Sequence, residues 1–137
     1  YFIFMNTNDF LKGMSHPNIK FLAGSTDMKV KTAFINTCDA MLHARLRGET
    51  FGLAVGEFSL RNKPVITFAR SPEQAHLWHL REKGIYYYDH YQLYHILASF
   101  KPMPIYDYNA FRYDFTPEGV MRKFNKVFID CIPNQPL

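Results

Sequence analysis

Cysteine is scarce: Cys38 and Cys131 are the only two in 137 residues, and they lie far apart. They make no disulfide framework, which predicts a reduced, intracellular setting. No apolar run approaches the roughly 20 residues needed to span a bilayer. No basic segment followed by an apolar stretch opens the chain. These absences predict a soluble, cytoplasmic protein without a transmembrane segment. Strong charge of either sign is missing too: the formal net charge is +4, and the Lys and Arg residues are scattered rather than clustered. A pI near 9.1 suits an anionic small ligand as readily as a nucleic acid, and no nucleic-acid partner is expected. Neither an internal repeat nor a low-complexity tract is visible.

What is present is apolar and aromatic. Hydrophobic residues make up 47% of the chain, with 13 Phe and 9 Tyr, so it can bury a core as one globular domain. Tyr1 to Met5 is an uninterrupted apolar run, expected for a strand buried on both faces of a parallel sheet. Asn6 to Gly13 reads as a short helix, His16-Pro17-Asn18 as a turn, and Ile19 to Ala23 as a second strand ending at Gly24. Ser25, Thr26 and Asp27 offer a cap for a helix bearing Val30, Ala33, Phe34 and Thr37 on one side. Later, Ser71-Pro72-Glu73-Gln74 has a capping-box pattern for a helix to about Glu82. Gly84 stops it before the strand Ile85 to Tyr88. Asp89 can cap a helix through Ser99 that lines up Tyr91, Tyr94, His95 and Ala98. Thr116-Pro117 opens a last helix with Val120, Met121, Phe124, Val127 and Phe128 as an apolar stripe.

Strands and helices alternating in roughly 20-residue steps predict an α/β fold with a doubly wound parallel sheet. The expected layout is one Rossmann-like domain over residues 1–130, with 101–130 as linker and terminal helix and 131–137 as a tail. The chain begins with Tyr1 at the first residue of an expected strand, which predicts a piece of a longer polypeptide.

The organising stretch is Cys38 to Phe68. Asp39 to Ala44 and Pro64 to Phe68 are of strand length, and Phe51 to Arg61 has helical spacing with Phe51, Ala54, Val55 and Phe58 on one side. A strand feeding a helix through the loop Arg47-Gly48-Glu49-Thr50-Phe51-Gly52 leaves unpaired amides at the helix start. With the helix dipole they make an anion site. Thr50, Phe51, Gly52 and Leu53 would offer those N–H groups to a diphosphate, while Gly52 allows close backbone approach. Arg45, Arg47 and His43 stand where they could add charge-assisted bonds. Glu57 would lie about 9 Å further along a helix beginning near Phe51. His76 and His79, three apart on a helix, suggest a metal pair, but no third ligand is evident and no metal is expected.

Glu49, Phe51, Gly52, Glu57 and the strand Lys63-Pro64-Val65-Ile66 together resemble the nucleotide-sugar-binding half of GT-B-fold retaining glycosyltransferases, family four (glycosyl transferases group 1). That family carries two glutamates separated by seven residues in an E-x-F-G segment, followed by a K-P-V-I-type strand. The resemblance implies a hexosyltransferase that is metal-independent and uses a nucleotide diphosphate-sugar (UDP- or GDP-linked) as donor, with no further cofactor. It casts Glu49 as the catalytic-site carboxylate holding hydroxyls of the transferred sugar and Glu57 as acceptor for the ribose hydroxyls. Gly24, with Ser25 and Thr26, would fall in the nucleobase loop, and Arg70 to Gln74 in the loop that closes near the phosphates. The family's own diphosphate Arg and Lys would precede Tyr1, as would the acceptor-binding domain, so the fragment alone should be inactive. The strands 39–44 and 64–68 also bear a likeness to homologues in large DNA viruses. Two other readings compete: a sugar-nucleotide epimerase of the same architecture, and a non-catalytic nucleotide-binding or interaction module.

Overall fold

A computed structural model describes residues 1–103 and 105–130 of the chain. The expected tail 131–137, with Cys131, lies outside these residues. Tyr1–Asp39 forms one compact unit and the rest of the chain a second.

In the first unit, strand β1 (Phe2–Met5) pairs in parallel with β2 (Ile19–Leu22), from Phe2 opposite Ile19 to Met5 opposite Leu22. Residues between these strands turn rather than form the expected helix. The Asp9 carboxylate accepts from the amides of Leu11 (2.8 Å) and Gly13 (2.9 Å). Asn6, Lys12 and Gly13 all take positive φ. A short acid that bonds nearby amides offers the backbone a rival to the helix. Phe4, Phe10 and Phe21 close over the turn with ring centroids 5.1–5.4 Å apart, a geometry that favours aromatic pairs. The expectation of a strand buried on both faces is not met, since Phe2 is exposed and the other three residues are half-buried. Asp27 caps α1 (Met28–Thr37), accepting from Lys29 N at 2.8 Å.

The second unit is built on β3 (Met41–His43), β5 (Val65–Phe68) and β7 (Ile85–Tyr87), parallel and adjacent in that order. Between β3 and β5 come β4 (Gly48–Glu49) and α2 (Leu53–Leu60). Between β5 and β7 come β6 (Glu73–Gln74) and α3 (Ala75–Leu80). The two-residue strands β4 and β6 make a small parallel sheet of their own. The chain is therefore a mixed α/β structure in which every strand pairing among the described residues is parallel, spread over three small sheets.

Val65, Ile66 and Tyr87 from the sheet, Val55 and Phe58 from α2, and Leu80 from α3 supply most of the core. Within the stretch expected to be linker-like, residues 106–111 pack against α2 and the Asn62 that follows it. Ser59 Oγ, fully buried, donates to the Tyr108 carbonyl (2.9 Å) and accepts from Ala110 N (2.9 Å). The Asn62 amide bonds the backbone of Tyr106 and Tyr108, and Phe111 lies so close to Gly56 that a Cβ there would stand 3.0 Å from its ring.

Two helices follow the capping signals closely. Asp89 accepts from Gln92 N (2.8 Å) at α4 (His90–Ser99), and Thr116 accepts from Gly119 N (3.1 Å) at α5 (Pro117–Phe124). The apolar stripe expected on the last helix is exposed along α5 and the following π-turn Asn125–Ile129.

Candidate functional site

The register of β3 on β5 sets His43 opposite Thr67. Paired residues of neighbouring parallel strands project to the same side, so His43 Nδ1 meets Thr67 Oγ1 at 2.9 Å. The same hydroxyl meets His76 Nε2 at 3.1 Å. His76 reaches this place because β4 pairs with β6, Gly48 opposite Glu73 and Glu49 opposite Gln74, and α3 begins directly after β6. The pairing also brings Glu49 to the His43 ring: Nε2 lies 3.3 Å from Glu49 Oε1. Arg45 Nη1 donates to the same oxygen at 3.0 Å. Four elements thus contribute to one line of contacts from His76 through Thr67 and His43 to Glu49.

Its inner members are dry. Thr67 and His76 are fully buried and His43 is 6% exposed, whereas the Glu49 side chain keeps 24% and Arg45 59%. Burial pushes the His43 imidazole below its ordinary range, more than the Glu49 carboxylate beside it pulls it up. His76 is likewise lowered by burial and by the neighbouring His43, with Glu49 acting the other way through its charge and its backbone carbonyl. For Glu49, burial would raise the carboxyl, but hydrogen bonds from His43 and Arg45 outweigh it and hold the group low. At neutral pH the cluster is an ionised carboxylate facing neutral imidazoles. His76 Nδ1 is buried and makes no hydrogen bond of normal geometry, the Glu49 carbonyl lying near the ring but outside that geometry.

The loop geometry depends on Gly48. Its φ is +78°, and a Cβ there would collide with the Glu73 carbonyl and the Ser71 side chain. Gly48 N donates to Arg45 O (3.0 Å) and Glu73 N donates to Arg47 O (3.0 Å). Gly52, at φ +92°, caps α2 in the left-handed region, where L-residues are disfavoured. The amides of Leu53, Ala54 and Val55 open the helix, and the first intrahelical bond runs from Gly56 N to Gly52 O (2.9 Å).

The expected site residues fall as follows. Glu49, Thr50, Phe51, Gly52 and Leu53 are consecutive at the loop-to-helix junction, with Thr50, Phe51 and Leu53 exposed. The helix starts two residues later than expected, so Glu57 is half-buried about 6 Å along it rather than about 9 Å. Phe51 packs its ring on His79 (5.1 Å) and Phe115 (5.2 Å), which anchors the junction. Arg47 is exposed and holds β6 through its carbonyl. His43, grouped with Arg45 and Arg47 as a phosphate ligand, is instead buried between Thr67 and Glu49. Gly24 belongs to the first unit, where the Asn6 side chain lies against it. The capping box at Ser71 is not used: Ser71 Oγ donates to Glu73 O at 3.0 Å, and residues 73–74 pair as β6.

Sequence reasoning missed Thr67 and Gly48, and, having set a metal pair aside, read His76 as an ordinary helix position. A signal was there: His43 and Thr67 are polar residues inside otherwise apolar strands. Among the described residues, no group of three or more His, Cys, Asp or Glu is arranged to hold a metal, and no helix is long and apolar enough to cross a membrane. Comparison with protein-family models, curated proteins and solved structures finds no match for this chain.

Proposed function

We propose that this chain is the donor-binding part of a sugar-nucleotide-dependent glycosyltransferase, a Rossmann-like half of a GT-B fold. The observation that carries the reading is Glu49, an ionised carboxylate tied through one oxygen beside the glycine-capped start of α2. An acceptor-only group with a free oxygen suits sugar hydroxyls. The amides opening α2 suit a diphosphate. Support also comes from the likeness of residues 49–66 to the family-four glycosyltransferase segment.

In this reading Glu49 takes hydroxyls of the transferred sugar and Glu57 takes those of the ribose. Thr50 to Leu53 face the diphosphate with backbone N–H groups, and Arg45 and Arg47 add positive charge. Stabilising the departing diphosphate with fixed dipoles lowers the barrier to transfer. A longer cytoplasmic chain supplies the acceptor domain upstream of Tyr1, and the sugar is transferred with retention of configuration.

Calorimetric titration with UDP, GDP, UDP-glucose and GDP-mannose tests the binding step. Saturable heat with at least one is expected, and no heat with any of the four overturns the reading in favour of an interaction module. Product analysis on the longer chain, with and without a sugar acceptor, separates transfer from epimerisation.

A further inference from the structure

The line His76–Thr67–His43–Glu49 has a direction, because the Thr67 hydroxyl owns one proton and touches two imidazole nitrogens. It can donate to only one of them, so whenever it donates to one it accepts from the other. The anionic Glu49 can only accept, so His43 Nε2 carries hydrogen. With His43 neutral, Nδ1 is bare and takes the Thr67 proton, and the Thr67 oxygen takes Nε2–H of His76. That order leaves His76 Nδ1 bare; it makes no hydrogen bond of normal geometry, and the Glu49 backbone carbonyl near the ring can only accept. Adding one proton gives His43 both N–H groups and turns the hydroxyl toward His76 Nε2. The hydrogen on His76 then moves to Nδ1. The bond from His43 to Glu49 survives both orders. Only His43 protonated on Nδ1 alone breaks it, by setting two lone pairs face to face.

Both donors to Glu49, His43 and Arg45, meet Oε1, and no hydrogen bond from the described residues reaches Oε2. Arg45 is largely exposed and its grip is screened by solvent. His43 is locked by burial and by the two residues behind it. We propose that His43, oriented by Thr67 and His76, is the positioning residue for Glu49, holding Oε1 so that Oε2 faces a hydroxyl of a nucleotide-bound sugar. This rests on the reading of Glu49 as a sugar-binding carboxylate.

Nitrogen-15 NMR of the histidines, on the intact chain at pH 7.5, reads the proton order directly. The expected result is His43 hydrogen on Nε2, and His43 as the neutral Nδ1–H tautomer overturns the proposal. Calorimetry then compares UDP-glucose and GDP-mannose with UDP and GDP for His43→Leu, Thr67→Val and His43→Gln. The first two should lose about tenfold in affinity for whichever sugar nucleotide binds, the loss of one hydrogen bond. Their affinity for the bare nucleotide should change less than about twofold. The Gln variant keeps an N–H near the Nε2 position and should recover to within about threefold of the parent, which a purely structural role would not give. Circular dichroism confirms folding, and the Gln variant decides the matter should Thr67→Val not fold. Unchanged sugar preference in His43→Leu overturns the proposal while leaving the donor-site reading intact. If the parent chain binds no sugar nucleotide yet shows the expected tautomer, the donor-site reading fails and the hydrogen-bonded line stands without a ligand.

Discussion

Replacing Gly48 by alanine should be the most damaging single-methyl change in the loop. At φ +78° an L-residue is strained by about 1–2 kcal/mol. The added Cβ would also meet the Glu73 backbone carbonyl, which cannot swing aside as a side-chain tip can. Relief requires β4 and β6 to separate. That breaks the bond from Glu73 N to Arg47 O and disturbs the one from Gly48 N to Arg45 O, each worth about 1 kcal/mol. The expected loss is about 3–4 kcal/mol, a large part of the roughly 5–15 kcal/mol that holds an ordinary domain. Gly52→Ala is the matched control. It has similar strain at φ +92°, but its nearest neighbour is the His76 Cβ at 3.0 Å, so about 1–2 kcal/mol is expected. Urea unfolding followed by tyrosine fluorescence measures both. If Gly48→Ala costs no more than Gly52→Ala, the collision does not matter and the β4–β6 pair is not what fixes the loop.

Acidification should destabilise the fold in two stages. The His43, His76 and His79 imidazoles are all held below the ordinary 6.5, mainly by burial. The unfolded chain therefore takes up protons first, and stability is full above pH 6.5 and falls below it. The slope can reach about 1.4 kcal/mol per pH unit for each histidine still neutral in the fold. Glu49, held below its ordinary 4.5, adds a contribution that persists above that pH and is lost beneath it. Urea midpoints from pH 8 to 4 check both stages, and a flat profile between 7.5 and 5.5 would refute the first. Ser59→Ala should cost about 1–3 kcal/mol by stranding the Ala110 amide and the Tyr108 carbonyl; an unchanged urea midpoint would show that residues 106–111 are not held through Ser59. Glu57→Ala should weaken UDP or GDP binding far more than Arg61→Ala, and equal, negligible effects in calorimetry would remove Glu57 from the site.

Local chemistry was the legible part of this chain. Asp27, Asp89 and Thr116 cap the helices their positions predicted, because a short polar side chain before an apolar-periodic run has a local, physically specific use. The strands at 41–43, 65–68 and 85–87 were equally readable. The failures share a cause, competition between a local pattern and a partner distant in sequence. Ser71 to Gln74 matches a capping box, yet Glu73 and Gln74 find β4 across the loop and pair as strand. His43 looks like a loop base until the register with β5 sets it against Thr67, 24 residues away. No periodicity in one segment announces a register between two.

The Glu49 cluster is also where local economy is set aside. Two imidazoles and a hydroxyl occupy positions that apolar side chains could fill, and one ring nitrogen makes no hydrogen bond of normal geometry. An unsatisfied buried polar atom costs about 1–3 kcal/mol. If stability alone were at issue, Val at 67 and Leu at 43 would pack the strand ends with no proton bookkeeping. Departures of this kind from local consistency are expected at functional sites. Here the polar line ends on the carboxylate at its more exposed end, and this continuity argues that Glu49 is what the buried residues behind it serve.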